Sequence, residues 1–110
     1  PVVAMGDFND SPDGDQFGML DGVLTNKAAS LFDEGQGTIR YQGKWELIDM
    51  FMVSEDLSAR SKMEIVRIPF LMTYEKKYPG LKPLRTYSGP RYVGGVSDHC
   101  PIVLCLFRSN

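Results

Sequence analysis

Apolar runs broken by glycine- and proline-rich turns recur along the chain, and their lengths suit strands better than long helices. Residues 1–5 (PVVAM) form a short apolar run with two β-branched valines that stops at Gly6, which predicts a buried strand ending in a turn. Ser11, Pro12 and Asp13 then signal a helix start, with Phe17, Leu20 and Leu24 following at near-helical spacing. Gly14, Gly18 and Gly22 weaken that helix, because glycine loses the most backbone freedom on ordering. Residues 33–37 carry turn chemistry, and residues 38–41 and 47–54 read as two strands around a turn at Gln42-Gly43. The second of these, LIDMFMVS, is nearly continuous in apolar character, as a strand buried on both faces requires. A turn or short helix is expected over 54–57, a strand over 63–70, a long loop over 78–95 and a closing strand over 100–107.

Composition narrows this picture little. At 110 residues, 43% hydrophobic and 24% charged, the sequence is that of one globular domain. No apolar run is long enough for a membrane-spanning helix, and the first residues lack the basic flank and apolar stretch of a signal peptide. They also lack an initiator Met, so the chain is expected to be cut from something longer, and its compartment stays open. A net charge of -2 gives no footprint for nucleic acid, which remains an open partner unsupported by charge. Lys76, Lys77, Lys82, Arg85 and Arg91 read as a solvated face. Cys100 and Cys105 fall in one short strand, on opposite faces and too far along it to bridge. Cys100 beside His99 admits a metal or nucleophile reading, but no second Cys/His pair completes a zinc site, so a packed core thiol is expected.

Two polar clusters carry candidate chemistry: Gly6-Asp7-Phe8-Asn9 and Ser97-Asp98-His99, each at the loop end of an apolar strand. An Asp and an Asn two residues apart on a turn can aim at one small volume, one as an anionic base or metal ligand, the other as a neutral donor. Asp98 and His99 add a hard oxygen ligand and a titratable imidazole. Set against this, Asp and Asn are ordinary turn residues. Asp49 stands out as an acid in an apolar strand and requires a partner, unless it is a solvated strand-end acid. Trp45 packs against the sheet or abuts the site, and Arg85, Tyr87, Arg91 and Tyr92 form either a substrate-reading loop or a structural one.

Taken together and in this order, VVAMGDFND, WELIDMFMVS and GGVSDHCPI resemble the endonuclease/exonuclease/phosphatase family over essentially the whole chain. The resemblance implies an α/β (α+β) fold: residues 1–110 as the C-terminal half of a four-layer α/β sandwich, mainly antiparallel sheet with one or two flanking helices. It implies hydrolysis of phosphate mono- or diesters by in-line attack of an activated water, with Mg²⁺ (or Mn²⁺) as cofactor. Asp7 would orient or deprotonate the water, and Asn9 would hydrogen-bond a non-bridging phosphate oxygen or hold Asp7. Asp98, with Asp7, would serve the metal, His99 would contact the scissile phosphate, and Asp49 would accept the other ring N–H of His99. Family members are longer and draw their main metal-binding Glu, and a further Asn and His or Tyr, from segments before the GDFN strand. An isolated second half is therefore expected to be inactive and to associate with itself, through a homo-oligomer or segment exchange. Two alternatives stand beside this reading: a non-catalytic structural or interaction module, and a hydrolase of a sugar, inositol or lipid phosphate.

Overall fold

The computed structural model describes residues 1–108. Its strands are β1 (Val3–Asp7), β2 (Thr25–Asn26), β3 (Ile39–Tyr41), β4 (Lys44–Glu46), β5 (Asp49–Val53), β6 (Ser61–Ile65), β7 (Met72–Glu75), β8 (Gly80–Pro83), β9 (Tyr87–Ser88), β10 (Arg91–Tyr92) and β11 (Ile102–Leu106). Two short helices, α1 (Ala29–Asp33) and α2 (Glu55–Ser58), and 3₁₀ turns at Asp15–Leu20 and Pro69–Leu71 connect them. The paired strands all run antiparallel, which with the few short helices makes this the expected α/β or α+β class.

β5 is the spine. It lies between β1 and β2 in the one three-stranded sheet of the described residues, and Met50, Phe51, Met52 and Val53 are all buried. Both faces are covered, as the uninterrupted apolar run predicts. Phe17, Ala28, Leu47 and Met63 complete the core, and Ile65, Ile102 and Leu104 of the β6–β11 ladder pack against it. The free thiol of Cys100 is buried, as expected of a packing residue, and burial pushes its pKa up.

Several elements depart from the expectations for physical reasons. β1 was expected to be buried, yet Val3 and Met5 are exposed: β1 has one neighbour, β5, and its other edge carries no strand among the described residues. The helix expected after Ser11 shrinks to a six-residue 3₁₀ segment starting at Asp15, since three glycines in nine positions offer too little propensity for an α-helix. Ser11 bonds Asp13 rather than capping a helix. The Gln42-Gly43 turn is present, with φ of 48° and 80°, the paired positive values of a tight hairpin. It joins β3 to β4, however, not to the LIDMFMVS strand, because that strand is claimed on both edges by β1 and β2. The strand expected over 63–70 starts two residues earlier and ends at Ile65, and Pro69 opens a 3₁₀ turn instead.

The expected loop over 78–95 is organised into ladders. β8 pairs with β7 and β10 with β9, and Val96 N–H and Gly95 N–H donate to the carbonyls of Leu84 and Arg85. A nearly buried guanidinium fastens the β7–β8 hairpin to β3: Arg40 reaches Glu75 Oε1 at 3.3 Å and the carbonyls of Tyr78 and Pro79 at 3.0 and 3.1 Å. Glu75 also pairs with Lys82 at 3.0 Å. Removing one partner from such a buried pair costs more than the pair contributes, because the other charge is stranded. Arg40→Met is therefore expected to speed amide hydrogen exchange across residues 72–75 and 80–83 by at least tenfold while the β1–β5 ladder keeps its protection; uniform loss of protection would contradict this division.

Candidate functional site

The two polar clusters and Asp49 converge because of strand register. Asp7 is the last residue of β1 and Asp49 the first of β5, and they are direct cross-strand partners. Gly6, at φ 143°, gives the chain a backbone conformation that side-chain-bearing residues rarely adopt, immediately before Asp7. Beyond the strand, Asn9 N–H donates to Asp7 Oδ1 at 2.8 Å, and Asn9 itself takes a left-handed conformation, φ 53°, which Asn tolerates. This tight turn fixes one oxygen of Asp7 and leaves the carboxylate about half exposed.

His99 arrives from the other side. Its residue forms a bridge with Ile39, and the neighbouring Cys100 N–H donates to Thr38 carbonyl at 2.7 Å, so β3 holds the entrance to β11. The ring lies with Nδ1 2.7 Å from Asp49 Oδ2 and Nε2 3.9 Å from both Asp7 Oδ2 and Asp98 Oδ1. With Nδ1–H donated to Asp49, the tautomer is set and Nε2 faces the two exposed carboxylates. Burial pulls the imidazole pKa down, but the hydrogen bond and charge of Asp49, with the charges of Asp98 and Asp7, outweigh it and hold His99 above its ordinary value of 6.5.

Asp49, only 14% exposed, is satisfied twice on Oδ2, by His99 and by the Thr38 hydroxyl at 2.5 Å. Thr38 is fully buried, and its hydroxyl oxygen lies 3.4 Å from Ile48 N–H. Sequence reasoning missed Thr38; the available signal was a hydroxyl opening a strand otherwise read only for its apolar pattern. Asp98 is partly exposed, and Oδ2 faces Arg85 Nη2 at 3.6 Å. Arg85 thus contacts the site, while Tyr87 and Tyr92 stack edge-on against each other on the β9–β10 hairpin. Asn9 is exposed and lies on the rim of an adjoining cleft. Trp45 lines the same cleft, with the Arg67 guanidinium 4.6 Å from its ring centre.

Asp7, Asp49 and His99 each offer a ligand atom within 4.8 Å of the others. His99 Nδ1 and Asp49 Oδ2 are engaged with one another, so an ion added without breaking that bond is left to Asp7. Mg²⁺ commonly takes one or two carboxylates and completes its shell with water and substrate oxygens. Among the described residues Asp98 lies outside the three-residue group.

A family model described as "Endonuclease/Exonuclease/phosphatase family" matches residues 1–108. No curated protein and no solved structure matches the chain.

The raised pKa has a definite sign. Protonation of His99 stabilises the fold in full below about pH 6.5, the unfolded imidazole's value, and the contribution is lost as pH rises through the higher folded value. An NMR titration of the only histidine is expected to show a midpoint above 6.5, and Asp49→Asn is expected to lower it. A midpoint unmoved by that substitution would show that the Asp49 contact does not govern the ring.

Proposed function

We propose that this chain, which belongs to the endonuclease/exonuclease/phosphatase family, forms one wall of a metal-dependent site that hydrolyses phosphate mono- or diesters by in-line attack of an activated water. The observation that carries the reading is the line Asp7, His99, Asp49: an exposed carboxylate, an imidazole raised in basicity, and a nearly buried acid that orients it.

Each residue has a distinct task. Asp7, with one oxygen held by Asn9 N–H, keeps its other oxygen to align the attacking water and take its proton. His99, protonated and anchored through Nδ1, presents Nε2–H to a phosphate oxygen where negative charge grows during attack. Asp49 keeps the ring from rotating, and Thr38 holds Asp49 in turn; a hydrogen bond to a charged group of this kind contributes about 1.5–3 kcal/mol. Asn9, exposed at the turn, donates to a second non-bridging oxygen. Asp7 and Asp98 would hold Mg²⁺ or Mn²⁺, which when bound neutralises charge on the phosphate. Arg85, by pairing with Asp98, sets that carboxylate's position.

The edge of β1, unpartnered among the described residues, supports a further part of the reading, that residues 1–110 make up the C-terminal part of a larger domain. Val3 and Met5 are exposed on a strand with one hydrogen-bonded neighbour, a surface that another strand would cover. That strand comes from a preceding segment or, for the isolated chain, from a second copy.

Two outcomes are expected. In the longest protein that contains this chain, Asp7→Ala and His99→Ala each lower kcat for bis(p-nitrophenyl) phosphate or p-nitrophenyl phosphate in Mg²⁺ by about 10³-fold or more, and unchanged turnover removes both assignments. In light scattering, the isolated 110-residue chain is expected to associate as its concentration rises, whereas a cooperative, concentration-independent monomer would show that β1 needs no partner.

A further inference from the structure

The carboxylates of Asp7, Asp49 and Asp98 surround the imidazole of His99, and a phosphate arriving with its own negative charge needs more cation than one ring provides. Arg85 is placed to supply it. Its Nη2 lies 3.6 Å from Asp98 Oδ2, while His99 Nε2 lies 3.9 Å from Asp98 Oδ1, so two donors converge on opposite oxygens of one carboxylate. Both distances exceed hydrogen-bond length, and Arg85 and Asp98 are each about half exposed. Water screens such contacts, and they hold their partners weakly. A phosphate presents similarly paired oxygens, and the guanidinium fork fits carboxylate and phosphate alike.

The backbone of Arg85 is fixed although its side chain reaches solvent. Its carbonyl accepts Gly95 N–H at 3.1 Å, the Leu84 carbonyl accepts Val96 N–H at 3.1 Å, and the Thr86 hydroxyl donates to the Gly95 carbonyl at 3.1 Å. A β-carbon at residue 95 would fall 1.9 Å from the Leu84 carbonyl oxygen and 2.4 Å from that of Arg85, so this closure requires glycine. The segment that runs into Ser97, Asp98 and His99 is thereby bound to the segment that carries Arg85. Among the described residues the Arg85 guanidinium makes its ion pair with Asp98 and no hydrogen bond, which leaves its five N–H donors to a ligand.

We infer that Arg85 is a further phosphate-binding residue of this site, its guanidinium and His99 Nε2 grasping two non-bridging oxygens of one phosphate in place of the Asp98 carboxylate. Arg85 thus places Asp98 in the free protein and phosphate in the bound one. That the phosphate is the one hydrolysed rests on the phosphoesterase reading, whereas phosphate binding between Arg85 and His99 does not.

His99 is the chain's only histidine, so its imidazole proton resonances report on the site. Sodium phosphate added to the 110-residue chain at fixed pH, with EDTA present, is expected to shift them saturably, and sodium chloride at equal ionic strength is not. Arg85→Gln is expected to weaken phosphate binding by about tenfold, and Arg85→Lys by less, since an ammonium keeps the charge and loses the fork. Asp98→Asn is expected to tighten binding by removing the competing carboxylate, a gain that misfolding would not produce, and adding Arg85→Gln is expected to cancel that gain. Resonances that phosphate moves no more than chloride does, or wild-type affinity in Arg85→Gln, would overturn the inference. So would an Asp98→Asn protein weakened as Arg85→Gln is, the result for a guanidinium that serves only to place Asp98. Phosphate binding that depends on Arg85, with no turnover in the longest protein containing this chain, upholds the inference and sinks the hydrolytic reading; turnover that Arg85→Gln leaves unchanged does the reverse.

Discussion

Two carboxylates facing each other across adjacent strands repel, and the arrangement persists only if something positive stands between them. Asp7 and Asp49 are such a pair, locked in register at the ends of β1 and β5. The imidazole of His99 answers the repulsion with one nitrogen on Asp49 and the other toward Asp7. Much of the local architecture serves to deliver that ring: the bridge from Ile39, the Thr38 carbonyl that receives Cys100 N–H, and the ladder joining 84–88 to 91–96 that leads into Ser97. The same arrangement that relieves the repulsion leaves Nε2 beside a half-exposed carboxylate, which is why the electrostatic solution and the proposed chemistry share one set of atoms.

Rigidity is distributed to match. The oriented acid grows from the most deeply buried strand, whose next four residues are all in the core, whereas Asp7 and Asp98 sit on edges that solvent reaches. A fixed orienting group and accessible reacting groups are what a site needs when geometry must be held on one side and a ligand admitted on the other. Thr38 links the two, being fully buried yet bonded to the one acid that must not turn.

Some of this was legible in the sequence and some was not. The apolar run LIDMFMVS announced a strand covered on both faces, and an acid within it announced a partner, because both inferences depend only on local pattern and burial cost. The clusters GDFN and SDH were visible as polar groups at strand ends. Their meeting with Asp49 depends on pairing between residues some forty to fifty positions apart, and only the family resemblance suggested it. The hairpins β7–β8 and β9–β10 were hidden because short, half-exposed strands rich in Tyr, Lys, Pro and Gly lack the alternation that marks a buried face. Arg40 was hidden for a related reason: nothing in the sequence near it distinguishes a guanidinium sealed under a distant hairpin from one in water. The exposure of β1 was hidden too, since an apolar run reads as buried whether or not its neighbour is present.

The five-residue register between β1 and β5 also divides the chain into parts that tolerate a change of length and parts that do not. Inserting or deleting one residue within either strand would turn alternate side chains to the opposite face, carrying Asp7 or Asp49 away from His99 and core residues into water. The turns around residues 10–14 and 34–36 lie outside that ladder and outside the β3–β4 hairpin. A gain or loss of residues is thereby absorbed more readily in those turns, where Asp7, Asp49 and His99 keep their frame.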